Sequence, residues 1–168
     1  MEPTEMFIRS AERIGVSGNP PSHLHVHGRC LTVLRRTMRI VEPQEGCALL
    51  LGRPLADRGV LLDCVWPVCN RWGAADVEQP WEGGGGRERN FLVDPREQLA
   101  AQRWGRDNQR SLLGVAHSHP AGEARPSQAD LRRSEPQRLM LILDGVGDVQ
   151  AWWLGEDRRA RPLPIHVL

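Results

Sequence analysis

Two histidines one residue apart, His117 and His119, precede Ser127 and Asp130 in a single short stretch of chain. Two imidazoles and a carboxylate are the donor types a catalytic zinc takes, with three protein ligands and one position left open. Pro120 stops the strand that carries the histidines. Residues i and i+2 of a strand face the same way, so both imidazoles aim at one point near a rim. Ser127-x-x-Asp130 is also a capping-box pattern, which starts a helix and puts Asp130 in its first turn. Taken singly, His-x-His is an ordinary surface or core pair and Ser-x-x-Asp an ordinary cap. Their conjunction favours a metal site. Bonds of about 2.0–2.2 Å would close three corners of a tetrahedron, and a water at the fourth would have its pKa lowered to about 7.

Hydrolysis at such a site needs a base. Glu42, Glu45 and Glu123 are the candidates. Glu45 stands at the mouth of the apolar run Cys47–Leu51, where partial desolvation raises a carboxyl pKa toward neutrality. Glu123 lies in the loop between the ligands and is expected in solvent. Glu42 precedes Pro43 and points to a turn.

The elements that must position these groups follow from periodicity and punctuation. His23–His27 alternates as a strand, and Leu31, Leu34, Met38 and Ile40 form a helical stripe ending before Pro43. Cys47–Leu51 reads as a buried strand and Gly59–Trp66 as its partner. Phe91–Val93 reads as a short strand. Asp94-Pro95 is a helix start, with Asp at the cap and Pro at the first position. Leu112–Ala116 delivers the histidines, and Ser127 opens a short helix. Leu139–Leu143 and Val149–Leu154 are strands joined by a turn at Asp144–Gly147, and residues 162–168 add a final strand. The expectation is an α/β (α+β) domain over residues 22–168. Its mixed, curved sheet of about six to eight strands is flanked by two main helices. Residues 1–21 are a loose leader, in which Phe7–Ile14 is at most a short helix before the breaker Gly18–Pro21.

Composition narrows the setting. The chain has 168 residues, the length of one domain, and a formal net charge of +1. That charge gives no argument for nucleic acid or an anionic membrane. All 22 basic residues are Arg, the usage of a GC-rich bacterial genome. No apolar run is long enough to span a bilayer, and the acidic N-terminus is not a secretory signal. The cytoplasm is the expected compartment, and the four Cys, with no CxxC pair, are expected as reduced thiols. Cys64 and Cys69 remain a minor ligand or disulfide alternative.

Three further features have competing explanations. Gly83–Gly86 carries a large ordering entropy and reads as a mobile loop. No Lys-Ser/Thr follows it, which argues against a phosphate cradle. His23, His25 and His27 alternate on one strand face, but no carboxylate or Cys stands at matching spacing. They read better as the polar side of an edge strand than as transition-metal ligands. Trp152-Trp153 places one ring in the core and one at a surface or partner contact.

Together these residues resemble the JAMM (MPN+, Mov34/PAD-1) zinc metallopeptidases. The likeness rests on Pro43-Gln-Glu45-Gly-Cys47-Ala-Leu-Leu-Leu-Gly52, on Gly114-Val-Ala-His117-Ser-His119-Pro and on Pro126-Ser127-x-x-Asp130. Asn70 and Phe91-x-x-Asp94-Pro95 match weaker positions. Ala48 departs from the family's usual Gly. The resemblance spans about residues 23–155 and implies a cytidine-deaminase-like core of the compact bacterial type. It implies Zn2+ on His117, His119 and Asp130, Glu45 as general base, and Ser127 as stabiliser of the oxyanion. The implied substrate is the C-terminal tail of a small ubiquitin-like protein ending in Gly-Gly, a sulfur carrier. An extended tail of that kind could add as a strand to a sheet edge, with the Gly83–Gly86 loop flanking the groove. Oligomeric state is left open. Two other classes remain: a zinc-stabilised module that binds without cutting, and a similar domain of DNA-repair or phage-tail type. The short chain argues against the latter.

Overall fold

A computed structural model describes residues 20–79 and 84–168. Most of the expected leader, its short helix and Gly83 lie outside the described residues. Among the described residues eight strands and three helices follow in the order β1 (His23–Val26), α1 (Gly28–Ile40), β2 (Cys47–Pro54), β3 (Gly59–Val68), α2 (Pro95–Asp107), β4 (Ser111–His119), α3 (Gln128–Arg133), β5 (Arg138–Asp144), β6 (Val149–Leu154), β7 (Ala160–Leu163) and β8 (Ile165–Val167). Among the described residues no helix is long and apolar enough to cross a membrane.

All eight strands form one mixed sheet in the order β7-β6-β5-β4-β2-β3-β1-β8. The last two strands in sequence thus occupy opposite edges, although only Pro164 separates them. A sheet whose two edges are joined through one residue has to curl until they meet, so it is curved and nearly closed. The inside of the curve is filled by α1, whose Cys30, Leu31, Leu34 and Met38 pack on Leu24, Leu50, Leu62, Leu141 and Trp153. On the outside, α2 sets Ala101 and Trp104 against Leu49 and Leu51 of β2. A smaller outer cluster joins Ala124 to Met140, Ile142 and Trp152.

Several expectations meet a different arrangement. β1 is not an edge strand: it pairs in parallel with β3 on one side and β8 on the other. His27 is not in it; that residue is the N-cap position of α1. Phe91–Val93 is extended but forms no ladder. Leu92 is tied by its carbonyl to the Arg71 amide and by its amide to the Asn70 side chain, so a loop takes the place of a partner strand. Residues 160–167 make two strands where one was expected. One ring of the tryptophan pair is in the core as expected, that of Trp153, but Trp152 packs beneath Ala124 and donates from Nε1 to its carbonyl at 3.0 Å. All four Cys are free, two of them buried.

Two helix starts follow the sequence closely. The Asp94 side chain accepts from the Arg96 amide with Pro95 at the first position, and Ser127 forms a full capping box with Asp130. Gly114 is the tightest point in the strand that carries the histidines. A Cβ there would lie 1.8 Å from the Leu139 carbonyl oxygen of β5. Gly114→Ala is therefore expected to force β4 and β5 apart and cost about 3 kcal/mol or more, read as a lowered urea midpoint. An unchanged midpoint would show that this spacing is not fixed by the glycine.

Candidate metal centre

β4 ends with His117 fully buried and the His119 side chain 13% exposed at the rim. Their Nε2 atoms are 3.1 Å apart. The capping box turns Asp130 toward them. Its Oδ1 lies 3.3 Å from His117 Nε2 and its Oδ2 3.3 Å from His119 Nε2. A tetrahedron with arms of about 2.0 Å has edges of about 3.3 Å, so the two imidazoles stand about one edge apart and each faces one Asp130 oxygen at that distance, with one donor atom from each residue within 4.8 Å of the others. The donor set and its spacing both fit zinc.

Each donor side chain is held from behind. His119 Nδ1 donates to the Glu123 carbonyl at 2.9 Å, which leaves Nε2 as the lone-pair nitrogen. Trp152 steadies the same loop through the Ala124 carbonyl. His117 lies under Phe91, ring centroids 4.5 Å apart and planes 22° from parallel. Its Nδ1 is buried with no hydrogen-bond partner among the described residues, so stacking orients this ring. Phe91→Ala is expected to weaken Zn2+ binding by roughly tenfold, the worth of one aromatic contact, in a chelator competition. Equal affinity would remove Phe91 from the site.

Asp130 spends its carboxylate twice. Oδ2 accepts from the Ser127 amide at 2.7 Å, while the Asp130 amide donates to Ser127 Oγ at 3.1 Å. Because Ser127 Oγ acts there as acceptor, its own proton is left to donate elsewhere. Burial pushes the Asp130 carboxyl upward, but His117, His119 and Ser127 together outweigh it and hold it well below the usual carboxylate range. Burial pushes His119 down, and the Asp130 and Glu123 contacts more than reverse that.

Glu45 stands beside this cluster two residues before β2, 5% exposed. Cys47, the first residue of β2, pairs with His117 across the β2–β4 ladder. Gly46 donates to Ser118 Oγ at 2.9 Å, locking the turn to the ligand strand. The Glu45 amide donates to the Arg87 carbonyl at 2.7 Å and its carbonyl accepts from Asn70 Nδ2 at 3.0 Å. Burial raises its carboxyl to about 7; Asp130 adds to the rise, and His119 and Arg133 oppose it. The competing acids are elsewhere. Glu123 is 82% exposed beside Arg125, and Glu42 lies exposed in the turn after α1, before a cis Pro43.

The supporting residues were harder to read. Asn70 bridges the Glu45 and Asn90 carbonyls. Asn90 Nδ2 donates to the Gly84 and Gly86 carbonyls, and Trp72 Nε1 to that of Gly85, so the described part of the glycine run is pinned by side chains. Arg133 donates to Asn90 Oδ1 at 2.7 Å and covers the Trp72 ring. The one local signal for Arg133 is its position three residues after Asp130 on the same helix face. A groove of about 160 Å³ runs past Asp130, with Asn90, Phe91, Leu92, Val115 and Arg133 in its walls.

A curled mixed sheet wrapped on α1, with His-x-His at a strand end and Asp on the next helix, defines a JAB/MPN-type domain. The chain belongs to the family described as prokaryotic homologs of the JAB domain, which matches residues 27–155. Among solved structures it is similar to a protein from Desulfitobacterium hafniense, 27% identical over 86% of this chain and 92% of that one, with a TM-score of 0.69. The fold is shared with a protein from Salinibacter ruber (23% identity, 84% and 91% coverage, TM-score 0.59). It is also shared with a JAB1/MPN domain protein from Archaeoglobus fulgidus (16%, 88% and 99%, 0.52). No curated protein sequence matches it.

Proposed function

We propose that this protein is a zinc-dependent peptidase that cuts at the Gly-Gly tail of a small ubiquitin-like sulfur carrier. The observation that carries the reading is a buried carboxyl tuned to about 7 beside three converging metal donors. A family of JAB domains is compatible with metal-dependent hydrolysis, and the residues present suit it.

His117, His119 and Asp130 would hold the ion. A zinc ion there supplies Lewis acidity, lowering the pKa of a water and polarising a carbonyl. Glu45 takes the proton of the attacking water, because a base near neutrality is both ionised enough to accept it and acidic enough to return it. It then passes that proton to the leaving amine. The Ser127 hydroxyl donates to the oxyanion that develops on the scissile carbonyl. Arg133, in the wall of the groove, presents its guanidinium to the carbonyls of an extended tail. A Gly-Gly tail has no side chains to clash with Phe91 or Leu92 in so narrow a passage.

The test is intact mass spectrometry of the zinc-loaded protein with each small Gly-Gly-tailed, ubiquitin-like protein of the same genome. Each would be presented bare, with extra C-terminal residues and as a cysteine adduct. Loss of mass beyond Gly-Gly, absent with Glu45→Gln, is the expected result. No mass change with zinc bound would overturn the substrate assignment and favour a module that binds without cutting.

A further inference from the structure

We propose that His23, His25 and Asp57 form a second transition-metal site, at the far end of the sheet from His117, His119 and Asp130. Their ligand atoms all lie within 4.8 Å of one another. The sequence hides this site because its carboxylate comes from a different turn. Asp57 lies in the β2–β3 connection and reaches His23 Nε2 with Oδ2 at 3.2 Å.

The fold builds the cluster from β1 and the β2–β3 turn, with β8 and β3 on either side of β1. His23 and His25 are on the same face of β1, opposite the core residues Leu24 and Val26. On one side of β1, His25 is paired in register with His166 of β8. The His166 ring stands 5.3 Å from that of His25 and 5.5 Å from that of His23. On the other side, His23 is in register with Gly59 of β3. A Cβ on Gly59 would lie 2.4 Å from His23 Nε2 and 2.9 Å from Asp57 Oδ1, so the missing side chain is the space through which His23 meets Asp57.

Two further details suit a ligand. His25 Nδ1 is buried and has no hydrogen-bond partner among the described residues. Ser22 Oγ lies 2.9 Å from His23 Nδ1, the outer-shell contact that fixes a ligating imidazole. Asp57 is itself oriented by the Gly59 amide, which donates to Oδ1 at 3.0 Å. The Asp57 side chain is 62% exposed, so an ion can enter from solvent. Two imidazoles and one carboxylate suit the borderline divalent ions Zn2+, Ni2+ and Cu2+. Closing 4.8 Å to the roughly 3.3 Å edge of a tetrahedral site needs only modest side-chain torsions. The site is separate from the first. His117 is laterally joined to Val68 through Cys47, at one end of β3, and His23 is joined to Gly59 at the other. The ten residues of β3 span about 30 Å. An ion here would cross-link β1 and the β2–β3 turn.

The experiment is a Zn2+ titration of chelator-stripped protein against a chromophoric chelator. Two equivalents are expected for the native chain and one for His117→Ala/His119→Ala. Adding Asp57→Asn or His25→Gln to that double variant should lower the remaining affinity more than tenfold. Asp57→Asn changes an exposed turn and keeps the folded state available should His25→Gln fail to fold, which circular dichroism reads. Zero equivalents on His117→Ala/His119→Ala, or one that survives Asp57→Asn, overturns the proposal. One equivalent on the native chain that is lost with Asp57→Asn and kept with His117→Ala/His119→Ala would instead uphold this site and sink the first.

Discussion

Glu45→Gln is expected to lower kcat/KM on a tail substrate by about 10²- to 10⁴-fold while leaving Zn2+ bound, the usual worth of a positioned general base. Gln keeps the volume and the polar tip but cannot accept and return a proton. The same substitution has an opposite effect on stability. In the metal-free protein the Glu45 carboxyl titrates near 7 against an ordinary value of 4.5, chiefly because burial disfavours its charge. A carboxyl raised on folding contributes nothing adverse below 4.5, where it is protonated in both states. The penalty grows as pH rises from 4.5 to 7 and is complete above 7, where it reaches about 3 kcal/mol. Metal-free Glu45→Gln should therefore melt higher than the native chain at pH 8 and close to it at pH 4.5. Equal melting at both pH values would mean that Glu45 is solvated and a poor base. Lost zinc in the variant would mean that it acts as a ligand.

Asp130→Asn should separate the two tasks of that residue. The amide oxygen can still accept from the Ser127 amide, so α3 keeps its cap, but the negative charge facing both imidazoles is gone. Zn2+ affinity is expected to fall by about 100-fold or more, because metal binding at this site relies on a deprotonated ligand. Ser127→Ala is the converse. It loses the acceptor for the Asp130 amide, costs about 1 kcal/mol of stability, and retains the metal while slowing turnover. A chelator competition and a urea melt on each variant read both quantities. Retained Zn2+ affinity in Asp130→Asn would show that two histidines suffice and that Asp130 is only a cap.

The site was legible because its donors are local. His117, His119, Ser127 and Asp130 fall in one strand–loop–helix unit, where strand alternation and capping rules fix which way each side chain points. Glu45 was legible through the apolar run it precedes. What could not be read was whatever depends on contacts between distant segments. Nothing near Asn70 announces that it will bridge Glu45 and Asn90. His23 and His25 lacked a carboxylate at matching spacing in the sequence, and only the pairing of β1 with β3 brings Asp57 to them. Phe91–Val93 has the composition of a strand but meets a loop and a side chain where a ladder would be. Alternation over His23–Val26 matches the buried and exposed faces of β1, while His27 and the strand's neighbours differ from expectation, because periodicity tells which face is buried and not which strand lies beside it.

The position of β1 also bears on how the domain comes together as it is synthesised. β1 emerges first among the described strands, but one of its two neighbours is β8, and the Leu168 amide donates back to the Val26 carbonyl at 2.9 Å. β1, β3 and the helix between them can assemble early. The second flank of β1 stays bare until residues 165–167 have left the ribosome, nearly the whole length of the domain later. Such long-range pairing is slow to form, and its open edge is exposed to other chains in the interval. A nascent chain halted before residue 165 is therefore the form of this protein that most needs a chaperone.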